Sequence, residues 1–132
     1  MKGRWLLAIT GFYGFTGVGL GAFAAHGLRG HLTPLMLNVF DTGVRYQFVH
    51  ALAIIACAVL LQLKLPARAQ KYFFVAAICF IIGVLCFSGS LYALAMTNIY
   101  WFGPITPIGG LLFMLGWLAF IFAAMKMKEV TS

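Results

Sequence analysis

The segment Tyr72–Met96, YFFVAAICFIIGVLCFSGSLYALAM, contains no charged residue and is longer than the roughly 20 residues that a helix needs to cross a bilayer. It is too long for a strand of a membrane barrel, and a helix satisfies its own backbone hydrogen bonds in lipid. Three further apolar runs of similar length lie at residues 5–25, 44–63 and 104–125. The sequence therefore predicts a single all-α domain over residues 1–132, an integral membrane protein with four transmembrane helices in an up-down bundle.

The composition supports this prediction and excludes other classes of protein. Hydrophobic residues make up 64% of the chain and charged residues only 8%, whereas about 25% of the residues of a soluble domain are charged. The net charge of +7 arises because 9 Lys and Arg residues accompany only two carboxylates, Asp41 and Glu129. These cations form no basic stripe, so we expect membrane lipids and no nucleic acid among the partners.

The positive charges also predict the orientation of the helices. One side of the predicted membrane has only Arg29 and Arg45, and the other has Lys2, Arg4, Lys64, Arg68, Lys71, Lys126 and Lys128. Because the cytoplasmic side carries the excess of Lys and Arg, we expect both termini in the cytoplasm. A cleaved signal peptide ending at Ala22-Phe23-Ala24 is the alternative, but its apolar region would exceed the usual length of about 7–15 residues.

The longest link, residues 28–43, contains a signal for the start of a helix. Thr33 followed by Pro34 fits the N-cap and the first helical position. We therefore expect a short amphipathic helix in this first outer link, lying at the membrane interface or running into the second span.

Small residues recur on one face of the first and fourth spans. In lipid, helices associate through close packing, which small side chains permit. These faces either build the bundle itself or form a contact with a second copy or another membrane protein. The glycines concerned are Gly11, Gly14, Gly17, Gly21, Gly109, Gly110 and Gly116. Cys57, Cys79 and Cys86 lie inside spans without a CxxC pair and are interpreted as packing residues.

With this orientation, nearly all polar side chains of the spans fall in the outer half of the bundle. Thr42, Tyr46 and His50 follow one stripe of a helix. An ionisable residue inside a membrane is a functional-site hypothesis by default, although His50 could simply bond a neighbouring helix through Ser88, Tyr92 or a backbone carbonyl. The candidate ligand-binding residues are His26, Asp41, Arg45, Tyr46, His50, Ser88, Ser90, Tyr92 and Thr106.

Three functions are compatible with this pattern. The first is a binding or scaffold protein for a lipid, a small polar ligand or a partner helix, in which Asp41 and Arg45 recognise a zwitterion or a lipid phosphate. The second is a small dimeric transporter with His50 as its proton-responsive group, although no carboxylate lies inside a span. The third is a redox protein that holds haem or a metal through His26 and His50. The first two need no cofactor, and the absence of any catalytic motif argues against an enzyme.

The chain resembles a known family at four ordered motifs. Residues 21–28 read GAFAAHGL, where the family usually reads GAFGAHGL, so Ala24 is a mild departure. The other motifs are FDTGVRYQFVHALA at residues 40–53, FSGSLY at residues 87–92, and TPIGG at residues 106–110 followed by Gly116-Trp117. On these residues it is similar to the domain of unknown function 423 family, the YgdD type of the UPF0382 group. The resemblance covers essentially the whole chain and implies a four-helix bacterial inner-membrane protein, but it supplies no activity.

Overall fold

The computed structural model describes residues 2–128 and consists of four long helices joined by short links. A π-helical turn, Phe23–Gly27, extends the first helix, and a 3-10 turn, Tyr100–Phe102, precedes the last. All four helices are long and apolar enough to cross a membrane, which confirms the predicted all-α membrane architecture. The helices are α1 (Lys2–Ala22), α2 (Pro34–Leu60), α3 (Ala67–Thr97) and α4 (Ile105–Met125).

Local sequence explains where α2 begins and where α3 ends. The Thr33 hydroxyl accepts a hydrogen bond from the backbone N–H of Met36 at 3.2 Å, and Pro34 takes the first helical position. Asn98 ends α3 with a left-handed φ of 56°, and its N–H donates to the Leu94 carbonyl at 2.8 Å. Asparagine tolerates this conformation because its short polar side chain bonds locally.

The helix that begins at Pro34 is continuous with the second span. The expected short helix of the first link is therefore not a separate element, and residues 34–43 form the first part of α2. Gly43 does not break the helix, because it lies buried against the Tyr92 ring. With 27 residues, α2 is about 40 Å long, compared with about 30 Å for the hydrocarbon core of a bilayer.

The bundle has two different ends. The links at residues 28–33 and 98–104 lie at one end, called here the two-link end, and the link at residues 61–66 lies at the other, the terminal end. Lys64, Arg68 and Lys71 flank the terminal end and are exposed, which keeps this end at a membrane surface. We therefore expect the surplus length of α2, about 10 Å, to project at the two-link end, at the depth of lipid headgroups.

The helices pack in chain order, with α2 and α3 at the centre. α1 packs against α2, α2 against α3, and α3 against α4. The largest fully buried side chains include Phe40, Phe73, Phe80, Leu6 and Ile54. α1 and α4 leave broad apolar surfaces exposed, as expected of helices that contact lipid.

Glycines let α4 approach α3 closely. A Cβ atom added at Gly109 would lie 2.7 Å from the Cα of Phe87, and one at Gly116 would lie 2.6 Å from the Phe80 ring. Gly110 is less constrained, because its Cβ would meet the Phe87 ring at 3.9 Å. The α3–α4 contact therefore depends on the missing side chains at positions 109 and 116.

The glycines of α1 differ from one another in their surroundings. A Cβ atom at Gly17 would lie 2.9 Å from the Phe48 ring, and one at Gly21 would meet Val44 at 3.5 Å, so both face α2. At Gly11 and Gly14, no such neighbour lies within 4 Å of the Cβ position. The glycine face predicted for α1 is therefore only partly covered by the bundle.

Candidate functional site

The polar residues singled out from the sequence do not form one cluster. The structure divides seven of them among the contacts between helices, an aromatic groove between α2 and α4, and a charged cavity at the two-link end, while His26 and Arg45 are exposed outside all three. Each place has a different chemistry.

Gln47 ties three helices together at the centre of the bundle. Its amide nitrogen donates to the Tyr13 carbonyl at 2.8 Å and to the Thr16 hydroxyl at 2.9 Å, both on α1. Its amide oxygen accepts from the Tyr92 hydroxyl of α3 at 2.6 Å. Gln47 is only 3% exposed, so this network satisfies a buried amide that would otherwise be costly. Tyr92 is thereby occupied by a structural bond rather than offered to a ligand.

The two candidate serines also bond neighbouring helices. Ser88 is fully buried, and its hydroxyl donates to the Gly43 carbonyl of α2 at 2.7 Å. Ser90 shares a 2.5 Å hydrogen bond with the Thr106 hydroxyl of α4 and also donates to the Phe87 carbonyl of its own helix. These bonds place Ser88, Ser90 and Thr106 among the contacts that hold α2, α3 and α4 together.

His50 is buried between α2 and α4, and both of its ring nitrogens are engaged. Nδ1 lies 2.8 Å from the Tyr46 carbonyl, and Nε2 lies 3.1 Å from the indole nitrogen of Trp117. A carbonyl can only accept and an indole N–H can only donate. His50 is therefore neutral in this arrangement, with its proton on Nδ1. The expected partners Ser88 and Tyr92 bond elsewhere, and Trp117 takes their place.

The His50 imidazole is part of a stack of aromatic rings. The Phe113 ring lies parallel to it, with centroids 3.6 Å apart and planes 6° apart. Tyr46 contacts Phe87 at a centroid distance of 4.7 Å. The rings come from α2, α3 and α4. The imidazole stacks on Phe113, has the tilted Phe80 ring at a centroid distance of 5.3 Å, and is engaged at both nitrogens.

A groove of about 560 Å³ opens beside this stack, between α2 and α4. Phe87 contributes to its lining from α3, and most of the lining is apolar or aromatic. The Tyr46 hydroxyl makes no hydrogen bond within residues 2–128, so it is the free polar atom of the lining. The groove is lined by Tyr46, His50, Phe87, Pro107, Gly110, Leu111, Phe113, Met114 and Trp117.

A second cavity, of about 420 Å³, lies at the two-link end between the π-helical turn and the first part of α2. Arg29 and Asp41 contribute its charges, and both are exposed. Arg45, which the sequence pattern grouped with Asp41 as recognising a zwitterion or a lipid phosphate, is exposed and does not line the cavity. In the part of the chain that the structure describes, neither Arg29 nor Arg45 forms an ion pair with Asp41. The remaining lining residues are Ala24, Ala25, Leu37 and Asn38.

His26 and His50 occupy different surroundings. His26 is exposed in the π-helical turn that follows α1, whereas His50 contacts rings of α3 and α4. No group of three or more metal-ligating side chains occurs within residues 2–128. Binding of a metal or haem iron at His50 would require one of its two present hydrogen bonds to break.

The sequence did not identify Gln47 and Trp117 as candidate residues, although their hydrogen bonds join the helices around the predicted ones. Gln47 lies next to the predicted Tyr46 and within the quoted motif at residues 40–53, but it was not chosen as a candidate, because a single glutamine carries no charge. Trp117 was part of a quoted motif, Gly116-Trp117, but no sequence spacing relates it to His50. An intramembrane glutamine is itself a usable signal, because a polar amide in lipid has to find partners on a neighbouring helix.

The chain is similar to membrane proteins of a single family. A family model described as "Protein of unknown function (DUF423)" matches residues 20–110. A UPF0382 membrane protein of Haemophilus influenzae is 41% identical over 133 residues, which cover 98% of this chain and 100% of that protein. The UPF0382 inner membrane protein YgdD of Escherichia coli is 34% identical over 129 residues, covering 98% of this chain and 95% of that protein.

A relative from Bacillus subtilis aligns with a shorter part of this chain. The UPF0382 membrane protein YwdK of Bacillus subtilis is 42% identical over 109 residues, which cover 83% of this chain and 86% of that protein. No solved structure matches the chain. The names of these relatives state a membrane location and no activity.

Proposed function

This chain belongs to the family described as protein of unknown function (DUF423), and we propose that it acts as a lipid-binding protein of the membrane. It is a multi-pass inner-membrane protein with four spanning helices. The proposed binding site is the groove between α2 and α4, and the proposed ligand is the hydrocarbon part of a membrane lipid. The observation that carries the proposal is the groove itself, with its aromatic lining beside His50.

The size and lining of the groove suit a hydrocarbon chain. Its volume of about 560 Å³ falls within the range of roughly 300–1,000 Å³ that is usual for ligand pockets. The lining side chains Leu111 and Met114 are largely exposed, so the groove opens to the side of the bundle, where lipid lies. A flexible apolar chain fills such a space without leaving a polar group unpaired.

The aromatic stack supports a preformed binding site rather than a surface whose side chains rearrange around any adjacent molecule. His50, Phe113 and Trp117 hold one another through a parallel ring contact and a hydrogen bond. Side chains fixed in this way lose little conformational entropy when a ligand binds. The Tyr46 hydroxyl then offers a hydrogen bond to a polar group of the lipid, such as an ester carbonyl.

A photoreactive phospholipid with a diazirine on its acyl chain tests this proposal. The purified protein is reconstituted with this lipid and irradiated, and adducts are mapped by peptide mass spectrometry. We expect adducts concentrated on residues that line the groove, such as Tyr46 and Met114. Adducts spread evenly over the exposed surfaces of all four helices would overturn the proposal.

Two neighbouring substitutions provide a matched comparison. Met114→Trp fills the groove, whereas Leu115→Trp places the same ring on an exposed part of α4 that does not line it. We expect Met114→Trp to reduce groove adducts several-fold and Leu115→Trp to leave them unchanged. Gly110→Ala, for which the Cβ has room, serves as a milder groove variant. Equal labelling in all three variants would contradict a specific site.

A further inference from the structure

We infer that the cavity at the two-link end binds a zwitterion, a group that carries both an anion and a primary ammonium. This is a second site, independent of the proposed groove. Asp41 lines the cavity and Tyr46 lines the groove, and these residues lie about 140° apart around α2. A ligand in one site therefore does not extend into the other.

The charges of the cavity carry the inference. Arg29 is the cation of its lining and Asp41 is the anion. Neither forms an ion pair with the other or with any residue in the range 2–128, so both charges are available to a ligand. A lone anion or cation would leave one of them unmatched, whereas a zwitterion satisfies both. Asn38 adds an amide that can donate to an anion or accept from an ammonium.

The guanidinium and the carboxylate suit the two ends of such a ligand. Arginine binds phosphate or carboxylate through parallel N–H donors. The Asp41 carboxylate accepts hydrogen bonds from an ammonium, which has three N–H donors when it is primary and none when it is quaternary. The site therefore distinguishes phosphoethanolamine-type groups from phosphocholine-type groups.

The backbone beside the cavity has an uncommon form. The N–H of Leu28 donates to the Phe23 carbonyl at 3.0 Å, five residues earlier, in the π-helical turn. Such turns occur frequently at functional sites. Gly27 leaves room for the Phe23 side chain over this turn, because a Cβ there would lie 2.7 Å from the Phe23 ring. The turn places Ala24 and Ala25 on the cavity wall, where larger side chains would fill it.

The level of the cavity points to two sources of the zwitterion. Asn38 lies within the first 10 Å or so of α2, the length expected to project beyond the hydrocarbon core, and Asp41 lies at the edge of that length, at the depth of lipid headgroups. The ligand is then the headgroup of phosphatidylethanolamine or a free zwitterion of the same chemistry. Both sources present the same two charges to Arg29 and Asp41, and separate measurements distinguish them.

Binding is measured on the purified full-length protein in mild detergent. Phosphatidylethanolamine, phosphatidylcholine and phosphatidylglycerol are titrated separately and followed by native mass spectrometry, and free O-phosphoethanolamine is titrated by calorimetry. We expect phosphatidylethanolamine or O-phosphoethanolamine to bind about fivefold more tightly than phosphatidylcholine, the factor that one exposed charge contact contributes. Binding of the free compound identifies a soluble ligand, and binding of the lipid alone identifies a headgroup site. Equal affinity for the three lipids together with no binding of O-phosphoethanolamine would overturn the inference.

Substitutions separate the roles of the two charges. Asp41→Asn should weaken phosphatidylethanolamine binding about fivefold and leave phosphatidylglycerol, which has no ammonium, unweakened. Arg29→Gln should weaken both lipids. Arg45→Gln is the matched control, because Arg45 is an exposed arginine near the same end that does not line the cavity. If Arg45→Gln weakened binding as much as Arg29→Gln did, general surface charge would explain the result and the site would be refuted. All these outcomes are independent of labelling in the α2–α4 groove.

Discussion

At the scale of single residues, the bundle depends on buried side chains whose polar atoms all have hydrogen-bond partners. Gln47 is the clearest case, because its amide bonds α1 and α3 from within α2. We expect Gln47→Leu to lower the free energy of unfolding by about 1–2 kcal/mol, since the Tyr92 hydroxyl loses its acceptor inside the bundle. Unfolding in mixed micelles measures this loss. Thr42→Val is the control, because the Thr42 hydroxyl bonds only the Asn38 carbonyl of its own helix.

A double-mutant cycle isolates the pair. If the Gln47–Tyr92 bond is the cause, Tyr92→Phe should add little to the loss already produced by Gln47→Leu. Fully additive effects of the two substitutions would contradict this assignment.

His50 gives a second prediction at the same scale, concerning the position of a proton. Because Nε2 accepts from Trp117 and Nδ1 donates to the Tyr46 carbonyl, we expect His50 to be neutral with its proton on Nδ1. Nitrogen-15 chemical shifts of the labelled imidazole at neutral pH report this directly, and a His50→Phe sample assigns the signal. A His50 ring that carries its proton on Nε2 would show that the Trp117 bond does not form.

At the scale of helices, the glycines show which packing contacts can be read from sequence and which cannot. Spacing alone predicted one packing face for Gly11, Gly14, Gly17 and Gly21, yet only Gly17 and Gly21 lie against α2. Spacing places residues on a common side of a helix, but it does not say how far along that helix a neighbour remains in contact. The same limit applies to α2, whose start at Pro34 was predicted from its cap while its continuity with the second span was left open.

The glycines also differ in what substitution should do. Gly109→Ala would set a Cβ 2.7 Å from the Phe87 Cα, so α3 and α4 must separate. We expect a loss of about 1–3 kcal/mol in the free energy of unfolding. Gly11→Ala has no neighbour within 4 Å of its Cβ and should be neutral or slightly stabilising. Equal effects of the two substitutions would contradict the described α3–α4 contact.

At the scale of the whole molecule, the composition predicted a helical membrane protein, whereas the residues that form each site could be identified only from the structure. Four apolar runs that contain no charged residue except Arg45 permit few arrangements, so the four spanning helices could be predicted from the sequence. The partners of His50 could not, because Trp117 lies 67 residues away and the contact depends on how α4 packs on α3. Likewise, Asp41 and Arg45 lie one turn apart, yet the cavity joins Asp41 with Arg29 from the preceding link.

The orientation of the molecule in the membrane decides whether the cavity faces the cytoplasm or the outside. Lys64, Arg68 and Lys71 flank the terminal end, whereas Arg29 and Arg45 lie toward the two-link end. The positive-inside rule therefore predicts a cytoplasmic terminal end and a zwitterion cavity that faces the outside. In a variant whose three native cysteines are replaced by alanine, Thr33→Cys and Asn98→Cys should react with a membrane-impermeant maleimide in intact spheroplasts. Ala67→Cys should react only after lysis, and the reverse pattern of labelling would place the cavity in the cytoplasm.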